Sequence, residues 1–164
     1  MKRIFSLLAA LTALFSLVSC MQAHSFTDTE MISEIAEEAL DELDSPYFFL
    51  TDNTGFTDEY FPMPDYVTEH AVLYTGETEN IDEFGIFHVQ DGNASAMETL
   101  LRERYLAPCY EKNRDFYNSY IPNETAKLRD AEVKVYGNYV VYAIMSPSDR
   151  HTVFNAVRDE LEGD

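Results

Sequence analysis

Four histidines, two cysteines and thirty aspartates and glutamates carry whatever acid, base, nucleophile or metal-ligand chemistry this chain performs. His24, His70, His88 and His151 stand far apart, and none has a partner at the spacing that puts two ligands on one helix face. His70 and His88 fall on neighbouring predicted strands, but a lone strand histidine is ordinarily a hydrogen-bonded residue, so no metal ligand is assigned. Asp52 to Glu59 has the look of a calcium loop, yet Gly55 comes two positions early and Phe56 occupies a ligand place. A weak surface cation site there stays open beside the simpler reading of an acidic turn. The carboxylate pairs Glu77/Glu79 and Asp82/Glu83 would suit acid–base work only if their surroundings drove their pKa values apart, and in so acidic a chain such pairs also arise by number. No Gly-x-Ser-x-Gly elbow and no Gly-rich phosphate loop is present. Cys109 follows a proline within a predicted helix and lacks an identifiable base, so it is assigned to packing. No catalytic residue, metal or other cofactor is therefore expected, and the chain is not expected to be an enzyme. Tyr136, Tyr139 and Tyr142, clustered around a predicted hairpin, are the candidate ligand-binding residues: on the open face of a one-sided sheet they would suit a peptide or glycan, and they would equally serve to pack the sheet.

Cys20 has a different chemistry. Lys2 and Arg3 precede an apolar run from Ile4 to Val18, and small Ser19 follows, which are the parts of an export signal. The run is shorter than the ~20 apolar residues of a membrane span and has no charged stop behind it. Ordinary cleavage after Ser19 would place Leu17 where a small residue is preferred. Leu17-Val18-Ser19-Cys20 instead resembles the bacterial lipobox, in which the Cys sulfur takes a diacylglyceryl group and becomes the first residue of the mature chain. Two acyl chains hold where one would slip, at about 0.8 kcal/mol per buried CH₂. The expectation is a signal over residues 1–19, a lipidated Cys20 with a short tether to residue 27, and an anchor on the outer face of the cell membrane. Ordinary secretion is the alternative, with Cys20, if retained, free to pair with Cys109.

Charge narrows the partners. Of eleven basic residues two lie in the signal, leaving nine against thirty acids, a net charge of −21. Nucleic acid, whose binding needs a basic footprint, is not an expected partner. From Met21 to Leu101 there are nineteen acids and no Lys or Arg, whereas nine bases and eleven acids share the remainder. The acidic part serves as a solubilising surface or as a face that collects cations or a basic partner.

The elements that would position these groups follow from periodicity. Thr27 and Glu30 form a capping box before Ile32, Ile35, Ala36, Ala39 and Leu43, predicting a helix over 28–44. An aromatic stretch over 45–68, punctuated by Gly55, Pro62 and Pro64, predicts packed loop or short helical turns. Residues 69–75 and 83–89 alternate and predict an antiparallel hairpin. Ser95 and Glu98 open a long helix that Pro108 should bend or split near Arg104 to Ala107. Ala131 to Tyr136 and Tyr139 to Met145 predict a second hairpin closed by Gly137-Asn138, and Ser146-Pro147 starts a last helix. Asn93-Ala94-Ser95 and Asn123-Glu124-Thr125 are then a helix start and a turn instead of glycosylation sites. The chain length supports a real hydrophobic core in one α+β domain over 28–164. Its predicted core, over 69–162, is ββα-ββα: an antiparallel four-stranded sheet with helices packed on one face, in two layers.

Asp82-Glu83-Phe84-Gly85-Ile86-Phe87, the long helix after it, and Tyr120 to Leu128 leading to Val133 and Gly137-Asn138-Tyr139-Val140 resemble the DUF4358 family of small bacterial lipoproteins, mostly from Firmicutes, over about residues 30–162. Ala107-Pro108 departs from the family's pattern of charged and polar residues there. The resemblance implies a lipid anchor and supplies no active site. Together these readings point to a membrane-anchored extracytoplasmic lipoprotein. It would act as a binding or accessory module for an unidentified protein, peptide or glycan, tied to lipid through diacylglyceryl-Cys20. The alternatives are an extracytoplasmic enzyme using carboxylates near the first hairpin loop, or a weak cation-binding surface protein.

Overall fold

The computed structural model describes residues 25–28, 31–43, 48–51, 60–75 and 79–163. The signal, Cys20, His24, Glu30, Glu77 and the acidic stretch Asp52 to Glu59 lie outside the described residues.

Helix α1, Ile32–Asp41, buries Ile32, Ile35, Ala36 and Ala39 at helical spacing. Ten residues make a marginal helix alone, so the burial of two isoleucines, roughly 1.5–3 kcal/mol each, is what holds it. It starts later than the capping box predicted. Met31 is the N-cap and no side chain caps it. Thr27 instead gives its backbone N–H to Leu161 O at 2.8 Å, which lays the N-terminal segment against the end of the chain.

Strand β1, Phe48–Thr51, pairs antiparallel with β2, Val67–Thr75. The aromatic stretch had predicted loop there; four consecutive strand-prone residues are too few to display a period of two. β2 forms the expected hairpin with β3, Glu83–Val89. Helix α2 has three segments: Ala94–Leu100, a π-helical stretch Leu101–Leu106, and Ala107–Tyr120. Its N-cap is Asn93, two residues before the predicted Ser95, and Glu98 pairs with Arg102 at 3.0 Å instead of capping. The π-helical stretch lies where Pro108 was expected to disturb the helix: proline has no N–H to give back to the preceding turn, and the wider turn removes that demand without breaking the helix. Helix α3, Pro122–Arg129, begins on a proline and takes in Asn123, so that stretch is helix and not turn. β4, Glu132–Tyr136, and β5, Tyr139–Ile144, close through Gly137-Asn138 with positive φ at Gly137 only, the pattern of a type II′ turn. Helix α4, Pro147–Glu162, is capped by Ser146, whose Oγ accepts from Asp149 N at 3.2 Å.

The fold is α+β, with one open antiparallel sheet in the order β1-β2-β3-β5-β4 and helices packed on it. The layers differ from expectation. α1 and α4 cover the face that carries Leu73, Phe84, Ile86, Val141 and Ala143; α2 and α3 cover the face that carries Val72, Phe87, Val89, Val140 and Ile144. The sheet is therefore the middle of three layers. β5 is buried at every position, and so is β3 except at His88, so the near-continuous apolar runs Tyr139–Ile144 and Phe84–Val89 mark burial on both faces.

Candidate functional site

Glu83 is the first residue of β3, and the pleat aims it into the layer of α2. It is fully buried, and burial pushes its carboxyl up from 4.5 to about 7, against the pull of two hydroxyls that hydrogen-bond it. Tyr105 OH, from the π-helical stretch, and Tyr142 OH, from β5, each donate to Glu83 Oε1 at 2.5 Å. Among the described residues the other oxygen, Oε2, accepts no hydrogen bond. Burial also raises both tyrosines well above their ordinary value, with each other's charge and that of Glu83 adding to it for Tyr105. Room for Tyr142 comes from Gly85, its cross-strand neighbour: a Cβ on Gly85 would lie 2.1 Å from the Tyr142 ring.

Asp82, one residue back, faces a different group. Lys127, in the last turn of α3, places Nζ 2.7 Å from Asp82 Oδ1, 2.7 Å from Glu124 Oε2 and 3.3 Å from Asn80 Oδ1. Glu124, in the first turn of the same helix, also accepts from Ile81 N at 3.3 Å, so α3 is fastened to the first hairpin loop. Burial raises the Asp82 carboxyl even though Lys127 and Asn80 pull it down. Burial lowers Lys127 in turn, and its two carboxylates outweigh that, leaving it raised. Lys127→Met is expected to cost about 2–3 kcal/mol at neutral pH, because it leaves two facing, partly buried carboxylates unpaired. The loss should shrink in acid as they protonate; urea unfolding at both pH values reads it, and an unchanged midpoint would remove the trio as a structural tie.

These two groups border one cleft of about 160 Å³, walled by Glu83, Asp82, Tyr74, Cys109, Leu128 and Ile144. Through Asn80, Ile81 and Tyr117 it adjoins a groove of about 480 Å³ walled by Phe116 and Tyr120, whose rings stand 4.7 Å apart and are 58% and 73% exposed. Burial raises the Cys109 thiol, so it stays protonated on the wall. A larger cavity, about 650 Å³, lies between α1 and α4 around Glu38, Glu42, His151, Asp159 and Glu160. None of its residues is buried, whereas the smaller cleft holds the buried carboxyls of Asp82 and Glu83, so the chemistry is placed there.

The tyrosines expected on an open face are buried instead. Tyr136 and Tyr139 lie under α1 and α4, and Tyr142 lies on the opposite face. Tyr136 OH donates to Phe154 O at 2.9 Å, and burial pushes it up to about 12. Helices cover both faces of the sheet where these tyrosines lie. Of the three, Tyr142 alone reaches the cleft, through Glu83. His70 and His88 do not meet either. His70 stacks on Phe87, while His88, on the other face, contacts Asp28 Oδ1 at 2.8 Å and Thr68 Oγ1 at 2.7 Å. With Asn138 Nδ2 donating to Asp28 at 3.1 Å, this pins the N-terminal segment beside the Gly137-Asn138 turn. His151 is bonded to Asn155 at 3.0 Å. Among the described residues no group of three His, Cys, Asp or Glu is placed to hold a metal, and no helix is long and apolar enough to cross a membrane.

Tyr105, Gly85, Glu124 and Lys127 had escaped notice as site residues. One signal was available: a glutamate opening an otherwise apolar strand must be neutral or partnered where it is buried.

A family model matches residues 51–145, a range that contains every cleft residue named above; its description is Domain of unknown function (DUF4358). No curated protein and no solved structure matches the chain.

Proposed function

The chain belongs to the DUF4358 family, and from that premise we propose that it is a membrane-anchored extracytoplasmic lipoprotein, a binding or accessory module whose ligand enters the cleft beside Glu83. The observation that carries this reading is the opposition of tether and cleft. β3 runs from Glu83 at the cleft to Val89, whose N–H bonds Asn138 O at 2.9 Å, and the N-terminal segment docks at that second end through Asp28 and Phe26. Seven strand residues separate the two ends by ~20 Å. Four residues, and so five Cα–Cα steps, join Cys20 to Ser25, a reach of at most ~18 Å. A lipid on Cys20 would thus hold the docked end toward the membrane and present the cleft outward. The intact mass of the N-terminal peptide from membrane-purified protein tests the anchor. We expect a peptide starting at diacylglyceryl-Cys20, and release of Cys20→Ser protein from the membrane fraction. An unmodified peptide starting elsewhere would leave a secreted protein without an anchor.

One feature favours the enzyme alternative. A carboxyl half-ionised at about 7, set between two tyrosine hydroxyls, suits proton transfer at neutral pH. Binding is preferred because, of the groups described beside Glu83 on the cleft wall, Cys109 is held protonated and Asp82 is engaged by Lys127.

A further inference from the structure

We infer that the cleft and the groove beside it bind an organic ammonium ion: a primary amine set against Glu83, joined by a short chain to an apolar or aromatic body lying on Phe116 and Tyr120. The inference rests on the binding reading above and names its ligand class.

The inner cleft chooses the charge. Glu83 is 4% exposed and lines the cleft. Its Oε1 is taken by two hydroxyls, which hold the carboxylate oriented and stabilise its ionised form, while Oε2 keeps an acceptor without a donor among the described residues. A ligand that brings an N⁺–H to Oε2 completes the site; an anion would meet the carboxylates of Asp82, Glu83 and Glu124, offset among the described residues by Lys127 and, on the Cys109 side, by Lys112. The same loop already holds one ammonium, Lys127 Nζ, among Asp82, Glu124 and Asn80.

Size and surface choose the rest. About 160 Å³ admits an ammonium on a short chain and nothing of drug size. The larger body must lie in the outer groove, where Phe116 and Tyr120 are the most exposed of the large apolar side chains described and Tyr117 continues into the cleft. Ring faces attract both a cation and an apolar body. Glu79 at the rim adds a further negative charge.

Isothermal titration of the full chain in detergent micelles with 2-phenylethylammonium, beside the uncharged 2-phenylethanol, tests the inference. We expect saturable binding of the ammonium and at least roughly tenfold weaker binding of the alcohol. Affinity should rise roughly tenfold from about pH 6 to about pH 8, as Glu83 ionises and the amine stays charged. Burial keeps Tyr105, Cys109, Tyr117 and Tyr142 protonated, and Lys127 is raised; the Asp82 carboxyl, which burial raises and Lys127 lowers, is shared with Glu83→Gln, so whatever pH dependence that variant loses belongs to Glu83. Glu83→Gln should weaken binding at least tenfold and abolish its pH dependence. Tyr120→Ala, at an exposed position that folding does not need, should weaken it roughly fivefold and leave the pH dependence intact. Absence of saturation at about 10 mM, equal binding of the alcohol, or an unchanged Glu83→Gln affinity would overturn the inference. A silent titration of protein whose Cys20 carries lipid removes the ligand class and leaves the anchored module standing; binding by protein with unmodified Cys20 keeps the ligand class and removes the anchor.

Discussion

Gly85→Ala is expected to lower stability by about 3–5 kcal/mol. The new Cβ would stand 2.1, 2.6 and 2.8 Å from three atoms of the Tyr142 ring, closer than real contacts allow. The ring has nowhere to go: it is fully buried, 6.2 Å from Phe87 and 5.4 Å from Tyr105, and its hydroxyl is tied to Glu83. Moving it costs overpacking of about 1–3 kcal/mol and also the hydrogen bond to a carboxylate, about 1.5–3 kcal/mol. Gly85 has no positive φ, so backbone strain contributes nothing and the effect is purely one of space. Urea unfolding of Gly85→Ala, Tyr142→Ala and the double variant checks it. The double variant should lose well less than the sum, because each change removes what the other disturbs. A Gly85→Ala midpoint equal to wild type would mean that Tyr142 does not fill the space above Gly85.

The same neighbourhood explains what the sequence made visible. Both hairpins, the Gly137-Asn138 turn and the Ser146 cap are local, each specified by residues within one turn or one strand of each other, and each forms. The disturbance near Pro108 was equally local, although proline chemistry alone does not say whether a helix will bend or widen its turn. The layer count was not local. A strand such as Phe84–Val89 shows alternation and a near-continuous apolar run at once; choosing the first gave one covered face, and the second was the stronger signal. Position in the sheet decides, and that depends on β3 pairing with β5, 51 to 61 residues away.

For the site, half of the constellation was visible. Asp82 and Glu83 stood out as carboxylates near the first hairpin loop, but not that the pleat would send them to different partners, Lys127 and the two tyrosines. Tyr142 was singled out for an open face; its hydroxyl points into a buried pair instead, because α2 covers that face. Glu124 and Lys127 pair within one helical turn, but Tyr105, Glu124 and Lys127 lie 22 to 47 residues from their partners on β3 and the first hairpin loop, and no local pattern announces those meetings.

Glu83→Gln is expected to make the protein more stable at about pH 8 by about 2–3 kcal/mol and to change it little at about pH 5. The sign follows from Glu83's raised pKa, about 7 folded against an ordinary 4.5. Between those values the folded chain binds more protons than the unfolded one, so stability falls as pH rises through the window. The stabilising share of neutral Glu83 is complete below about 4.5 and lost above about 7. About 2.5 pKa units correspond to about 3 kcal/mol. Gln cannot ionise, yet its Oε1 still accepts from Tyr105 and Tyr142, so the variant escapes that loss. Every other titrating group is common to both proteins, so the difference between their urea midpoints across this range isolates Glu83. A difference that stayed flat with pH would mean that the Glu83 carboxyl ionises at its ordinary value and that the cleft is wetter than its packing implies. A stability gain at about pH 8, joined to weaker ammonium binding by the same variant, would show that the buried charge persists because a ligand, and not the fold, requires it.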